Sequence, residues 1–318
     1  DAIQNVKIKN TKKIFLSNGL FGLKGILLYD ALKFNGFNVI TSQHGMTAGI
    51  SKHSDYSKLN ESHTSDVYFC YNNSTISQHK KINPKTITKF KIVGGPKTSK
   101  KISNKFLNRS YLRTKMNLKG IQVLYLSGIN PVNAYKCFPT ILSNSEIFCH
   151  TKDILNVLSK LNKNISFKNY PTEQFLFSHQ KYLENEYGDK IHFLPKDIDF
   201  RYTRPAFDII ITNATQSTLE WCIGAEIPLI FLYDRKIMPL ESYELELIFK
   251  ECFFFFDFDK IGWQESFTDF LNQPFKQIQK LWNKKKRYRD QYEEEYFMSI
   301  NKSAGKIGAD FIRNLIKS

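Results

Sequence analysis

Phe207-Asp-Ile-Ile-Ile-Thr-Asn-Ala-Thr-Gln-Ser-Thr-Leu-Glu-Trp-Cys-Ile-Gly-Ala-Glu-Ile-Pro-Leu-Ile-Phe231 reads as a strand, a turn, a helix and the start of a second strand. The opening run to Thr212 is short and almost wholly apolar, the pattern of a strand buried on both faces of a parallel sheet. Small and polar residues then turn the chain, and a helix begins at about Ser217 before Pro228-Leu-Ile-Phe-Leu-Tyr233 supplies the next strand. The turn is therefore a helix N-terminus at the carboxyl edge of a sheet, where free N–H groups and the positive end of the helix dipole favour a phosphate. Thr215, Ser217 and Thr218 add hydroxyl donors at the same point, and Glu220, one turn into the helix, is placed to accept from a ribose. Ser-Thr-x-Glu is also the spelling of an ordinary N-cap with an acidic first turn, and it is the βαβ frame that favours a ligand site.

Upstream the same alternation continues. Gln122-Val-Leu-Tyr-Leu-Ser127 is a buried strand ending at Gly128, and Ile147-Phe-Cys-His150 reads as another, with Thr151-Lys-Asp153 capping a helix to Leu161. Ile165–Lys168, a helix around Glu173–Tyr187 and Ile191–Leu194 follow, and beyond Trp263 the pattern is helical to the end. The Phe253–Phe256 run reads as a buried strand, and Lys284–Arg289 followed by Glu293-Glu-Glu295 as a solvated helix face. The first region gives a strand at Lys13–Leu16, a helix from Phe21 to Phe34 stopped at Gly36, and strands at Phe37–Thr41, Asp66–Tyr71 and Phe90–Val93. Strands alternating with helices predict parallel sheets covered on both faces.

At 318 residues and 42% hydrophobic the chain has material for two domains and is not a disordered polymer. No window approaches the roughly 18 uninterrupted apolar residues of a membrane-crossing helix. The first residues lack an apolar signal-peptide core and the cysteines form no C-x-x-C pair, so a reducing cytoplasm is the expected compartment. The net charge of +16 is uneven: residues 1–119 hold 21 Lys and Arg against 5 Asp and Glu, and the remainder holds 25 against 25. Such a block attracts anions, whether nucleic acid, an acidic glycan or an anionic membrane leaflet.

The stretch Asp208–Phe231, with its Thr-Asn-x-Thr-x-Ser-Thr-Leu-Glu core and the Gly-x-x-x-Pro-Leu-Ile that follows, resembles the donor-nucleotide site of GT-B-fold glycosyltransferases, in particular those of bacterial surface-carbohydrate loci (capsule and lipopolysaccharide type). Gln43-His44-Gly45 followed by Ser65-Asp66, and Phe200-Arg-Tyr-Thr-Arg204 ahead of the donor strand, extend the likeness over residues 37–235. The resemblance implies two Rossmann-like lobes with the active site in a cleft. A nucleotide sugar sits on the second lobe against Asn213, Thr215, Gln216, Ser217, Thr218 and Glu220, and an acceptor sits on the first, beside Gln43 and Gly45. Gly128, Asn130 and His150 are expected to line the cleft.

His44, on a Gly-flanked loop at a strand's carboxyl end, is the first candidate for catalysis, as a base near neutral pH or a donor to phosphate. Glu61 and Asp66 are the nearby carboxylates and further catalytic candidates, although Asp66 starts a strand, where a structural cap or turn is the readier role. Inversion at the anomeric carbon needs one base and retention through a covalent intermediate needs a carboxylate nucleophile, and both remain open here. Arg201 and Arg204 suit donor phosphates or a sugar carboxylate, and equally ion pairs with Asp197 and Asp199. No Asp-x-Asp occurs and His, Cys and carboxylates never cluster at ligand spacing, so neither a metal nor another cofactor is expected.

The expected division is a basic acceptor-side lobe over 1–115, a nucleotide-sugar lobe over 116–274 and a helical segment over 275–318. Only 95 residues precede the linker that opens at Pro96, so either the first lobe is reduced or the chain is a piece of a longer protein, the second being the slightly favoured expectation. The reading is a metal-independent glycosyltransferase, working in the cytoplasm or peripherally on the inner membrane face. It moves a sugar from a CMP-linked acidic sugar or a UDP-sugar to an anionic or lipid-linked glycan. A non-hydrolysing sugar-nucleotide epimerase would share the fold without needing the basic lobe. A nucleic-acid-binding protein would use that lobe directly, but no interleaved aromatic runs or recognition helix support it.

Overall fold

The structure, a computed structural model, describes residues 12–45, 48–52, 61–95, 108–128, 144–169, 179–195, 197–215, 217–237, 239–297 and 303–317. It divides into two units, Asp1–Lys97 with Gln291–Ser318, and Thr98–Asp290.

Unit 1 is built on four parallel strands, β1 (Lys13–Ser17), β2 (Phe37–Ser42), β3 (Val67–Cys70) and β4 (Lys89–Ile92), hydrogen-bonded in that order. Helix α1 (Gly22–Phe34) crosses from β1 to β2 and ends where Gly36 takes a positive φ of 75°; α2 (Asn73–Ile82) crosses from β3 to β4. Because side chains alternate along a strand, β2 feeds two cores. Phe37 and Val39 pack with Leu32, Leu28 and Tyr29 of α1 and with Phe15. Ile40 joins Val67, Phe69 and Val93 against Ile307, Phe311, Ile312 and Leu315. Those last four lie on the final helix, Ala304–Lys317, so the chain's end completes the first unit. Each such apolar side chain contributes about 1.5–3 kcal/mol when fully buried.

Unit 2 carries six parallel strands, β5 (Gln122–Leu126), β6 (Asn164–Lys168), β7 (Ile191–Phe193), β8 (Ile209–Thr212), β9 (Leu229–Tyr233) and β10 (Phe254–Asp257). Their spatial order is β10-β9-β8-β5-β6-β7. The chain runs outward from β5 to β7, returns to the other side of β5 with β8, and continues to β10. Strand order thus reverses between β5 and β8, the position at which doubly wound sheets bind ligands. Every residue of β5, β8 and β9 is buried, as their uninterrupted apolar runs require.

The boundaries differ from those the sequence led us to expect. Helix α3 (Arg109–Lys115), placed before the expected break at 115, belongs to unit 2: Arg109 and Arg113 both pair with the carboxylate of Asp208 at the foot of β8, and Arg113 Nε donates to Ala206 O at 2.7 Å. The helices after residue 274 form no unit of their own, since Phe275–Lys284 falls in unit 2 and Ala304–Lys317 in unit 1.

Ile147–His150 is not a strand. It forms the first half of the helix α4 (Asn144–Leu158), which runs through the residues expected to cap a later one. Ile147, Thr151, Ile154, Leu155 and Leu158 are all buried, a helical period that extends past the short apolar run. The helix expected around Glu173–Tyr187 is seen as α5 (His179–Tyr187), its first part lying outside the described residues. The phenylalanine run becomes β10 and its preceding residue: Phe253 and Phe254 are buried and Phe255 and Phe256 half-buried. Of the basic cluster, Lys284, Lys286 and Arg287 face solvent, whereas Arg289 is buried with its guanidinium 3.4 Å from the Trp282 ring centre.

Candidate functional site

The carboxyl edge of the six-stranded sheet opens into a hollow of about 350 Å³ in unit 2. Leu126 and Ser127 close it from the end of β5, Lys168 and Asn169 from the end of β6. A short helix α6 (Phe200–Thr203) contributes Phe200 and Arg201, preceded by Asp197 and Asp199. Ser217, Thr218 and Trp221 come from α7 (Ser217–Ile223), the helix that follows β8. Ser217 and Trp221 are four residues apart and so share one helix face.

This wall mixes charges in a defined way. Lys168 is buried, its ammonium donating to Pro195 O at 3.1 Å, and burial lowers its pKa against the raising effect of Asp199 and Asp197. Asp199 accepts from the Arg201 amide at 2.9 Å and from Arg201 Nε at 2.7 Å, and this guanidinium holds its carboxyl below the usual range. Arg204 is buried behind the hollow, donates from Nη1 to Trp221 O at 3.0 Å and lies 5.5 Å from the indole centre. The Arg201 guanidinium lies 5.2 Å from the same indole. The two arginines thus hold Trp221 in place, by contacts of the cation–π type.

The structure brings Arg201, Ser217 and Thr218 of the sequence candidates to this wall. Thr215 is fully buried, and Asn213 is used internally, its Oδ1 accepting from the Gly128 amide at 3.1 Å; that bond ties the turns after β8 and β5 together. Glu220 is buried too, its Oε1 has no hydrogen-bond partner among the described residues, and burial pushes its pKa up to about 7. Arg201 makes the ion pair with Asp199; Arg204 turns instead to a backbone carbonyl. Gln216 and Asn130 lie outside the described residues.

His150 does not follow a strand. It stands mid-helix on α4, with Nδ1 2.5 Å from Asp234 Oδ2 and its ring stacked on Phe258 at 4.6 Å. Burial raises the pKa of Asp234, but the hydrogen bond and charge of His150 outweigh it, with the Ile237 and Lys236 amides adding to the lowering.

Lys168, Asn169 and Trp221 were not among the sequence candidates. Lys168 and Asn169 stand at the end of β6, where no sequence motif marks them, and Trp221 lies one helical turn beyond Ser217 on α7.

In unit 1 the Gln43-His44-Gly45 loop leaves the carboxyl end of β2. Gln43 is buried and committed: Nε2 donates to Gly45 O at 2.9 Å, and Oε1 accepts from the Tyr71 amide at 2.9 Å and from Thr75 Oγ1 at 3.1 Å. These bonds fix the loop, with Gly45 at a φ of 73°, and leave His44 exposed. Glu61 is buried, and its Oε2 accepts from the His44 amide at 3.3 Å and from the Tyr68 hydroxyl at 2.5 Å. Asp66 stands at the other edge of the sheet, before β3, where it pairs with Lys33 at 2.7 Å and accepts from the Val39 amide at 2.8 Å. Its position and partners are those of a strand anchor, in keeping with the structural reading of Asp66 that stood beside catalysis. Among the described residues no three His, Cys, Asp or Glu side chains gather to hold a metal ion, and no helix is long and apolar enough to cross a membrane.

No protein-family model and no curated protein matches this sequence. Among solved structures the chain is similar to the wall teichoic acid polymerase TagF, with a TM-score of 0.58 and 13% identity over 96% of this chain and 73% of that one. A TagF variant soaked with CDPG gives a TM-score of 0.58 and 12% identity over the same shares. HepE from Anabaena in complex with UDP-glucose gives a TM-score of 0.56 and 11% identity, over 96% of this chain and 79% of that one. The chain therefore has the fold of the GT-B glycosyltransferases, two parallel α/β sheets with closing helices.

Proposed function

We propose that the protein is a glycosyltransferase whose nucleotide-linked donor binds in the hollow of unit 2. The observation that carries this reading is the place and chemistry of that hollow: it opens where strand order reverses, and it joins hydroxyls (Ser127, Ser217, Thr218), cations (Lys168, Arg201) and an indole (Trp221) on one wall. Hydroxyls and cations suit the phosphates, and the indole suits a base or sugar face. The solved relatives' ligands, CDPG and UDP-glucose, support a pyrimidine nucleotide as carrier. A CMP-linked acidic sugar and a UDP-sugar both fit this donor set.

In this reading His44 is the base, held out on a loop that Gln43 and Glu61 fix from beneath, and the acceptor belongs to a surface polysaccharide or glycoconjugate. The protein works in the cytoplasm or on the inner membrane face, with no metal. A thermal-shift panel of CMP, CDP, UDP, GDP and ADP tests the donor assignment. A shift selective for a pyrimidine nucleotide, surviving moderate salt and lost in Arg201→Ala/Thr218→Ala, is expected. Equal shifts for all nucleotides, or no change in the double variant, would remove the assignment.

A further inference from the structure

Unit 1 has a cavity of its own, about 560 Å³, at the carboxyl edge of its four-stranded sheet. Leu16, Ser17 and Asn18 follow β1 into it, Thr41 and Ser42 come from β2, and Phe69 and Tyr71 from β3 and its end. Its opposite wall is the start of the last helix, where Ala304, Gly305, Gly308 and Ala309 present no bulk. Among the described residues no charged side chain lines it. That is unexpected in the more basic part of the chain. Of the described lysines of this unit, Lys24, Lys91 and Lys306 are not among the residues that line the cavity, while Lys13 and Lys89 open strands and Lys33, Lys80 and Lys81 lie in the last turns of α1 and α2, at the amino edge. There they complement the negative ends of the helix dipoles.

With no cation in its described lining, the cavity offers a carboxylate or phosphate dipoles but no opposite charge, and burying an unpaired charge is costly. It does suit a ligand with apolar faces and hydroxyl edges. Asn18 and Ser42 supply the edge partners: Ser42 Oγ donates to Asn18 Oδ1 at 3.3 Å, which leaves the Asn18 amide hydrogens to donate and the Ser42 lone pairs to accept. Phe69 and Tyr71 supply apolar surface. We infer that this cavity binds an uncharged pyranose ring, and that the acceptor end engaged by unit 1 is a neutral sugar and not the acidic glycan that the net charge alone suggests. The acceptor part of this inference rests on the transferase reading; the sugar site does not.

Gly305 offers a clean test. A Cβ built there meets nothing within 4 Å, so a larger side chain enters open space, and replacing a helical glycine favours the helix by up to about 1 kcal/mol. Gly305→Leu should therefore fill the cavity in a protein no less stable than the wild type, and Gly305→Ala should leave room. Saturation-transfer NMR on the full chain, with methyl glucoside and its uronic acid counterpart as probes, reads the site directly. The neutral sugar should show transfer in the wild type and in Gly305→Ala and lose it in Gly305→Leu, while the uronate shows none. Transfer to the uronate equal to or above that to the neutral sugar, transfer to neither, or transfer unchanged in Gly305→Leu would overturn the inference. Nucleotide binding followed in the same samples separates the two claims, because Gly305→Leu should bind nucleotide as the wild type does.

Discussion

The Tyr68 hydroxyl donates to Oε2 of Glu61 at 2.5 Å, and the same oxygen accepts the backbone amide of His44 at 3.3 Å. Burial, then the Glu61 charge, raises the Tyr68 pKa well above its ordinary value, so the phenol stays a neutral donor. One buried carboxylate thus joins a core tyrosine to the loop that presents His44. Tyr68→Phe removes the donor and leaves the carboxylate under-satisfied, which costs roughly 1–3 kcal/mol. Urea unfolding at neutral pH should show a lower midpoint with unchanged slope; an unchanged midpoint would contradict the role given to this bond.

Glu220 predicts a pH dependence of opposite sign to the usual acid denaturation. Its folded pKa, about 7, lies above the unfolded value near 4.3, so the folded state holds the extra proton between them. Stability from this group is therefore present in acid and falls as pH rises from about 4 to about 7. Glu220→Gln keeps the shape and removes the titration. The variant should match the wild type near pH 4 and exceed it at pH 8 by roughly 3–4 kcal/mol. Equal stability of the two at pH 8 would show that Glu220 is ionised at no cost.

Asp234 behaves in the ordinary sense. Its folded pKa is depressed, so its contribution is present above the unfolded value near 3.9 and is lost as pH falls through the folded one. His150→Phe keeps an aromatic ring over Phe258 and removes the partner of a buried carboxylate. The variant should be less stable at pH 7 by roughly 1–3 kcal/mol, and the gap should close toward acid as Asp234 is protonated in both proteins. A gap constant with pH would assign the loss to packing alone.

Local pattern made much of this fold legible. Phe207–Thr212, Pro228–Tyr233 and Gln122–Ser127 are apolar runs bounded by turns, and all three are central strands of unit 2. Ile147–His150 looked the same over four residues, and only the helical period out to Leu158 distinguishes it. What depends on distant pairing was not legible. Nothing local tells that Ile307 and Phe311 complete the core of the first unit, or that Arg109 and Arg113 reach Asp208 some hundred residues on. The same limit applied to the site. The residues of α7 were readable as a turn and helix start, but Lys168 and Asn169 reach the hollow only because β6 is laid beside β5. Glu220 was placed on the correct helix, but the sequence shows its turn and not its burial.

In the proposed function a pyrimidine nucleotide binds against Trp221. Titrating CDP and UDP into the protein while following tryptophan fluorescence, with Trp221→Phe as control, tests it most directly. Saturable quenching is expected for at least one of the two, absent in Trp221→Phe and abolished in Arg201→Ala/Thr218→Ala. Calorimetric binding of either nucleotide with fluorescence unchanged, or quenching that persists in Trp221→Phe, would place the nucleotide elsewhere and contradict the account.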